Sequence, residues 1–312
     1  MKKKILITGA HGDIAISIYR IIKGKYKEKY SIDGIDILSD GPGDFVFNKV
    51  YKSPNPKEKK YNIFFKKIAS QYNLIIPTTE GELKYFSKKE NTHLIKKFPI
   101  LINNSNIVKI FLNKISTQNF LKRNDIYPTK FGLSLDKITK YSKPFFLKKI
   151  FGSGNKDYQI INSKEKFKKL SKLKKNEWMA QEYLNYKYEE YTCALVKIEK
   201  FISTIILKRK LNGGLTYYAE LIKNKEIQNT LETMANKIDL KGSINIQLKI
   251  HNNRVAIFEI NPRISSTVMI RHKLGFTDCL WWIEYFLFKK IPLSKKIINK
   301  RVYKFYSEKF IK

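Results

Sequence analysis

Ser243-Ile-Asn-Ile-Gln-Leu-Lys249 and Arg254-Val-Ala-Ile-Phe-Glu-Ile-Asn261, joined through Asn252-Asn253 and closed by Pro262-Arg263, decide how this chain is read. Both runs are short and apolar or alternating, with a turn dipeptide between them, so they are expected as an antiparallel hairpin. Side chains two apart on a strand share a face, so Glu259 and Asn261 point to one side. Gln247 on the paired strand can share that side. One carboxylate and two carboxamides make an all-oxygen set suited to Mg²⁺. Arg263 follows on the same parity, with Pro262 allowing the chain to turn. Glu259 alone would be read as part of a half-buried polar face satisfied by hydrogen bonds; that reading does not account for the set.

Upstream, Pro144-Phe-Phe-Leu-Lys-Lys149 is expected as a strand that enters Phe151-Gly-Ser-Gly-Asn155, and Tyr158-Gln-Ile-Ile161 resumes a strand. A small glycine-rich loop between two strands can fold over phosphates, because its backbone N–H groups are unobstructed. A glycine hairpin without ligand is the alternative for this stretch alone. The Walker pattern G-x-x-x-x-G-K-[ST] does not occur. Further on come Trp178-Met-Ala-Gln-Glu-Tyr-Leu184 and the strand Tyr188-Glu-Glu-Tyr-Thr-Cys-Ala-Leu-Val196. Residues 107–123 have helical spacing, with Lys114 inside the helix. At the start, Lys4-Ile-Leu-Ile-Thr8, a Gly9-x-x-Gly12 turn and an apolar helical stretch from Ile14 open an α/β unit. Ser31 to Asp36 and Leu74 to Thr78 add strands, which implies a parallel sheet. Without a full G-x-G-x-x-G, Gly9 to Gly12 is read as a tight strand-to-helix turn with no nucleotide.

Taken together, these stretches resemble the ATP-grasp superfamily, in the branch similar to carbamoyl phosphate synthetase large-subunit domains and carboxylate–amine ligases. The resemblance runs through P-x-x-x-K-x-x-x-G-S-G (Pro144 to Gly154), Q-E-Y-L (Gln181 to Leu184), E-Y-T (Glu190 to Thr192), N-I-Q (Asn245 to Gln247) and F-E-I-N-P-R (Phe258 to Arg263). Ile5 to Gly12 and Ile76-Pro-Thr-Thr-Glu-Gly-Glu-Leu83 are similar to the domain that precedes an ATP-grasp unit. The implied architecture is α/β, with α+β in the ATP-binding part: an N-terminal parallel-sheet domain over residues 1–105, central helices and a lid subdomain over 106–180, and a C-terminal subdomain with the metal site over 181–312.

The resemblance also implies roles. Lys114 and Lys148 would neutralise ATP phosphates, and Gly152, Ser153 and Gly154 would form the phosphate lid. Gln181, Glu182, Tyr183 and Leu184 would be the adenine hinge, largely through backbone groups. Glu190 would accept from ribose hydroxyls, with Glu189 left open as the alternative. Gln247, Glu259 and Asn261 would hold Mg²⁺ (or Mn²⁺), and Arg263 would face the transferred phosphoryl group, with Lys148 and Arg209 as further catalytic groups. Ser265, Ser266 and Arg271 are candidates on the substrate side. Where related sequences carry Asp-Lys or Asp-Arg, this chain has Asn113-Lys114.

Composition bounds the remaining classes. With 312 residues, 43% apolar and 29% charged, the chain can bury a substantial core and is not of disordered composition. Cys193 and Cys279 are too few and too far apart for a disulfide scaffold or a cysteine zinc site, and fit a reducing cytoplasm. His11, His93, His251 and His272 show no close pairing. The net charge of +35 invites a nucleic-acid reading, but only seven of the 62 basic residues are arginine, the residue that forks onto phosphates and base edges. No specific nucleic acid is expected. The longest apolar run, Cys279 to Phe288, is too short to span a membrane and contains Glu284; a buried helix is expected there.

The implied function is an ATP- and Mg²⁺-dependent ligase joining a small-molecule carboxylate to an amine through an acyl phosphate, with homo-oligomerisation left open. The alternative is a non-catalytic nucleotide- or polyanion-binding module on the same fold. A degenerate relative should lose metal ligands first, and all three candidates are retained.

Overall fold

In a computed structural model the structure describes residues 3–126, 129–138, 144–152, 158–170, 173–185, 189–251, 253–293, 297–298 and 300–305. The N-terminal part runs β1 (Lys3–Thr8), α1 (Asp13–Tyr26), β2 (Tyr30–Asp36), β3 (Val50–Lys52), α2 (Lys59–Ala69), β4 (Leu74–Ile76), α3 (Glu80–Ser87) and α4 (Thr92–Lys97). Its strands are parallel, in the order β3-β2-β1-β4. Ile5, Leu6 and Ile7 are all buried because helices cover both faces of the sheet. Gly9 ends β1 at φ +62°, and a side chain there would meet Thr79 Cγ2 at 2.6 Å. That close approach brings the turn after β1 against the turn after β4.

Two helices follow, α5 (Ser105–Leu112) and α6 (Lys114–Arg123). The expected continuous helix over 107–123 is therefore corrected. It breaks at Asn113, whose side chain accepts from Ser116 N at 2.9 Å and starts a new helix. Lys114 becomes the first residue of α6.

The second sheet is antiparallel, in the order β5-β8-β6-β7, from β5 (Gly132–Ser134), β6 (Phe145–Lys149), β7 (Tyr158–Ile161) and β8 (Trp178–Glu182), with α7 (Lys164–Lys169) between β7 and β8. Phe145, Leu147 and Ile161 pack inward on one face. Phe146, Lys148, Tyr158 and Ile160 line a cleft on the other.

The third sheet is the platform: β9 (Glu190–Ile198), β10 (Phe201–Asn212), β11 (Leu215–Leu221), β12 (Gly242–His251), β13 (Arg254–Asn261) and β14 (Arg301–Tyr303), in the order β13-β12-β9-β10-β11-β14. Helix α8 (Lys225–Lys237) precedes β12, and α9 (Val268–Lys273) and α10 (Asp278–Phe288) follow β13. Tyr191, Cys193 and Leu195 face a core shared with α5 and α8. The opposite face grades from apolar to polar along β9. Ala194, Val196 and Ile198 pack against α1, α9 and α10, whereas Glu190 opens onto the cleft. One sheet face thus serves as core at one end and as site floor at the other. Helix α10 is the buried helix expected from the sequence, and Trp281 and Trp282 seat it in the core that the first and third sheets share. Each such side chain contributes about 1.5–3 kcal/mol by burial.

The β12–β13 hairpin holds the feature that makes the site. Gln247 pairs with Glu259 while Leu248 pairs with Ile257, so Phe258 is an extra residue in a β-bulge. Val255 and Ile257 face the core before it and Ile260 after it. The bulge changes parity and turns Glu259 and Asn261 toward the cleft.

Candidate functional site

A cleft of about 920 Å³ lies where the three sheets meet. Its walls are the turns after β1 and β4, the inner face of the second sheet and the polar end of the third. Lys114, Lys148, Gly152, Gln181, Glu182, Tyr183, Leu184, Glu190, Arg209, Gln247, Glu259, Asn261 and Arg263 all line it. Residues far apart in sequence are thus collected at one place. Ser153 and Gly154 lie outside the described residues.

The cationic side is built by two lysines. Lys148 is 7% exposed and donates to the Phe258 carbonyl at 3.1 Å. The bulge frees that carbonyl from the ladder. Burial pulls the Lys148 ammonium down to about 8, with Glu259 acting against the shift and Lys114 with it. Lys114 donates to the Gly152 carbonyl at 2.5 Å, which ties the start of α6 to the loop after β6. Gly152 holds φ +112°, a conformation that suits glycine.

Opposite them stands Glu259. Burial would raise its carboxyl, but Lys148, Lys114, a hydrogen bond from Asn261 and Arg209 together hold it below the usual glutamate range. Asn261 Nδ2 donates to Glu259 Oε1 at 3.0 Å. The amide nitrogen is spent on the carboxylate, so Oδ1 is the atom that remains as a donor to a cation. An ionised carboxylate beside an amide oxygen fits a hard divalent ion. Gln247 stands opposite Glu259 in the register. Its Oε1 accepts from Arg209 Nη2 at 2.9 Å, and that guanidinium weakens it as a cation ligand. Among the described residues no cluster of three or more His, Cys, Asp or Glu offers a rival metal site.

Arg209, expected as a catalytic group, lines the cleft and is held there by a set of hydrogen bonds. Its Nε and Nη2 donate to Glu190 Oε1 at 3.0 and 2.5 Å, and its Nη1 donates to Thr216 Oγ1 at 3.4 Å. From β10 it reaches three other strands, β9, β11 and β12, and sets Glu190 and Gln247 in place. Glu190 lines the cleft. Glu189 accepts instead from the Tyr191 hydroxyl at 2.6 Å and pairs with Lys208.

Glu182, expected at the head of a hinge that acts largely through backbone groups, lines the cleft with its carboxylate engaged. Its carboxylate accepts from Arg254 Nη2 at 3.0 and 3.2 Å and from the Lys130 backbone N–H at 2.5 Å. It fastens β8 of the second sheet to β13 of the third. Gln181 similarly donates to Thr129 Oγ1 at 3.1 Å, and Thr129 donates to Gln118 Oε1 at 2.8 Å. Tyr183 and Leu184, the next two residues, line the cleft.

Arg263 lines the cleft with Nη1 donating to the Ile264 carbonyl at 3.0 Å and its buried Nε unpartnered. Burial lowers its pKa, opposed by Glu80 and Glu259. Ser265 and Ser266 continue the same wall. Arg271 does not reach it: the side chain is fully buried behind the wall, which corrects its place among the substrate-side candidates.

Glu82 was not singled out from the sequence. It is 4% exposed beneath the turn after β4, it accepts from the Thr79 hydroxyl, and burial pushes its carboxyl up to about 7. The Thr79-x-x-Glu82 spacing of a capping box is the signal that could have found it.

Residues 174–296 match the family described as ATP-grasp in the biosynthetic pathway with Ter operon. An uncharacterized protein of Mycoplasma genitalium, MG011, is 28% identical over 207 residues, which cover 64% of this chain and 71% of that one. Among solved structures, N5-carboxyaminoimidazole synthetase from Staphylococcus aureus, complexed with ADP, superposes with a TM-score of 0.76 at 17% identity, covering 95% of this chain and 80% of that chain. The biotin carboxylase domain of 2-oxoglutarate carboxylase from Hydrogenobacter thermophilus, in complex with MgADP and bicarbonate, gives 0.73 at 12% identity, covering 96% and 73%. The chain has the ATP-grasp fold, and its residues 174–296 carry the match to the ATP-grasp superfamily.

Proposed function

We propose that this chain is an ATP-dependent, ADP-forming ligase that activates a small-molecule carboxylate as an acyl phosphate for attack by an amine. The observation that carries the reading is the pairing of Lys148 and Glu259 in one cleft that also takes in Lys114, Asn261 and Arg263. Its size suits a nucleotide together with a small acceptor.

A carboxylate is a poor partner for an amine, because its leaving group would be oxide. Transfer of the γ-phosphoryl group makes phosphate the leaving group instead. The protein then has to position reactants and neutralise charge, with no covalent nucleophile of its own. Lys148 keeps its proton at neutral pH and places positive charge against phosphate oxygens without exposing the ammonium to solvent. Lys114 adds a second charge and holds the Gly152 turn over them. Arg263 adds a third positive charge on the cleft wall. Glu259 and Asn261 would hold Mg²⁺ (or Mn²⁺), which when bound neutralises charge on the phosphates. Arg209 orients Glu190 toward the ribose position. Glu182 keeps the second sheet at a fixed distance from the third, so Tyr183 and Leu184 border a defined slot. Residues 1–105, 106–180 and 181–312 remain the proposed division into domains.

The similar solved structures named above were obtained with ADP or MgADP, and one also with bicarbonate, which supports nucleotide as the ligand of this cleft. An ADP-release screen of carboxylate and amine pairs with MgATP tests the proposal. ADP release that requires both co-substrates is expected. No ADP release with any pair, and no rise in thermal midpoint under saturating MgATP, would overturn it.

A further inference from the structure

Residues 262–267 join β13 to α9 and place Arg263, Ser265 and Ser266 on the cleft wall. Directly behind them lies an ion pair sealed from solvent, with Arg271 1% and Asp278 0% exposed. The guanidinium forks onto Asp278, Nε to Oδ1 at 3.2 Å and Nη2 to Oδ2 at 2.8 Å. Its Nη1 turns the other way, to Ser265 Oγ at 2.7 Å and Thr267 Oγ1 at 2.8 Å. Asp278 Oδ2 also accepts from the Ser243 hydroxyl on β12 at 2.6 Å. Asn103 Nδ2 reaches the Ser243 and Pro262 carbonyls at 3.0 and 3.1 Å. One buried network therefore joins the platform strand, the 262–267 turn and the start of α10.

Taking two charges out of water is costly, and an apolar pair of similar volume is often no less stable. Packing alone therefore does not call for this pair. What an apolar pair could not do is fix the direction of two hydroxyl-bearing residues on a six-residue turn. Ser265 is the link, since it touches Arg271 on one side and borders the cleft on the other. We propose that Arg271 and Asp278 are positioning residues that hold residues 262–267 so that Arg263 and Ser265 meet the group receiving the phosphoryl. This rests on the ligase reading above. Neither residue lines the cleft, so nucleotide binding is expected to be set independently of them.

The test compares the wild-type chain with Arg271→Lys and with the apolar double variant Arg271→Met/Asp278→Leu. The double variant is expected to stay folded, with KM for ATP within about twofold and kcat for ADP release reduced at least tenfold. Arg271→Lys keeps a cation but loses the fork, and is expected to fall between the two. Amide hydrogen exchange at residues 263–267 is expected to quicken in both variants, a readout that does not depend on turnover. Unchanged exchange there, or a double variant with wild-type kcat per folded molecule, would overturn the inference. A wild-type chain that releases no ADP, with exchange at 263–267 nevertheless faster in the variants, would place the failure in the ligase reading and leave the positioning of the turn standing.

Discussion

Two buried carboxyl groups, Glu259 on the cleft wall and Glu82 beneath a turn that borders the cleft, behave in opposite ways. Glu259, on the third sheet, is held ionised below the usual range because Lys148, Lys114 and Arg209 overcome the cost of its burial. Glu82, under the turn after β4, has the Thr79 and Thr8 hydroxyls and its own backbone N–H but no cation to oppose burial, while Asp36 adds to it, and its carboxyl rises to about 7. Burial alone therefore does not make a ligand. A carboxylate becomes suited to a cation where other cations keep it charged and an opening admits the ion. Where neither holds, it becomes a structural hydrogen-bonding group.

The contrast can be broken at several points. Glu259→Gln is expected to lower ADP release by about a thousandfold or more while leaving the thermal midpoint within a few degrees, because the proposed anionic metal ligand is gone and the packing is kept. Retained turnover would remove the distinction between the two sites. Lys148→Met should cost about a hundredfold in kcat/KM for ATP. In the wild-type chain KM for ATP should rise as pH passes upward through about 8, where the Lys148 ammonium loses its proton, and Lys148→Arg should abolish that rise. A profile with the same inflection in Lys148→Arg would assign it to another group.

Glu82 should reveal itself in stability instead. Its pKa is raised on folding, so the folded state holds the proton more tightly. Stability should fall as pH climbs from about 4.5 to about 7 and then level off, by up to about 1.4 kcal/mol per pH unit. Glu82→Gln should flatten that slope, which chemical denaturation at several pH values would measure, with ADP release changed less than threefold. The smallest effect is expected for Glu182→Gln, about 1–2 kcal/mol of stability and a few-fold rise in KM for ATP, as the strap between β8 and Arg254 loosens. A large fall in kcat would instead give Glu182 a part in the chemistry.

Much of this site was legible because it is written along strands. Glu259 and Asn261 share a face by period two, and Gln247 stands across from Glu259 as the hairpin requires. Lys148 and Gln181 lie on neighbouring strands of the second sheet, whose order local sequence does not set. The bulge was not legible. Val255 and Ile257 are core residues, and unbroken alternation would have carried Glu259 into the core with them. The conflict between that apolar run and a polar pair two residues apart is resolved only by the extra residue, Phe258. The partners of Arg209 were not legible, because they arrive from β9 and β12, which pairing brings together and spacing does not. Arg271 looked like a substrate group because arginine is scarce here, yet Asp278, seven residues on, takes its charge inside the core. The glycine turn after β1 was read correctly as a tight turn, its cause being the approach of Thr79.

Binding of Mn²⁺ in the presence of ADP, followed by electron paramagnetic resonance in the wild-type chain and in Glu259→Gln, goes to the centre of the matter. Nucleotide-dependent binding of Mn²⁺ by the wild-type chain, weakened at least a hundredfold in the variant, is the expected result. Equal Mn²⁺ affinity in the two proteins would show that the carboxylate held ionised by Lys148 and Lys114 is not the cation's seat.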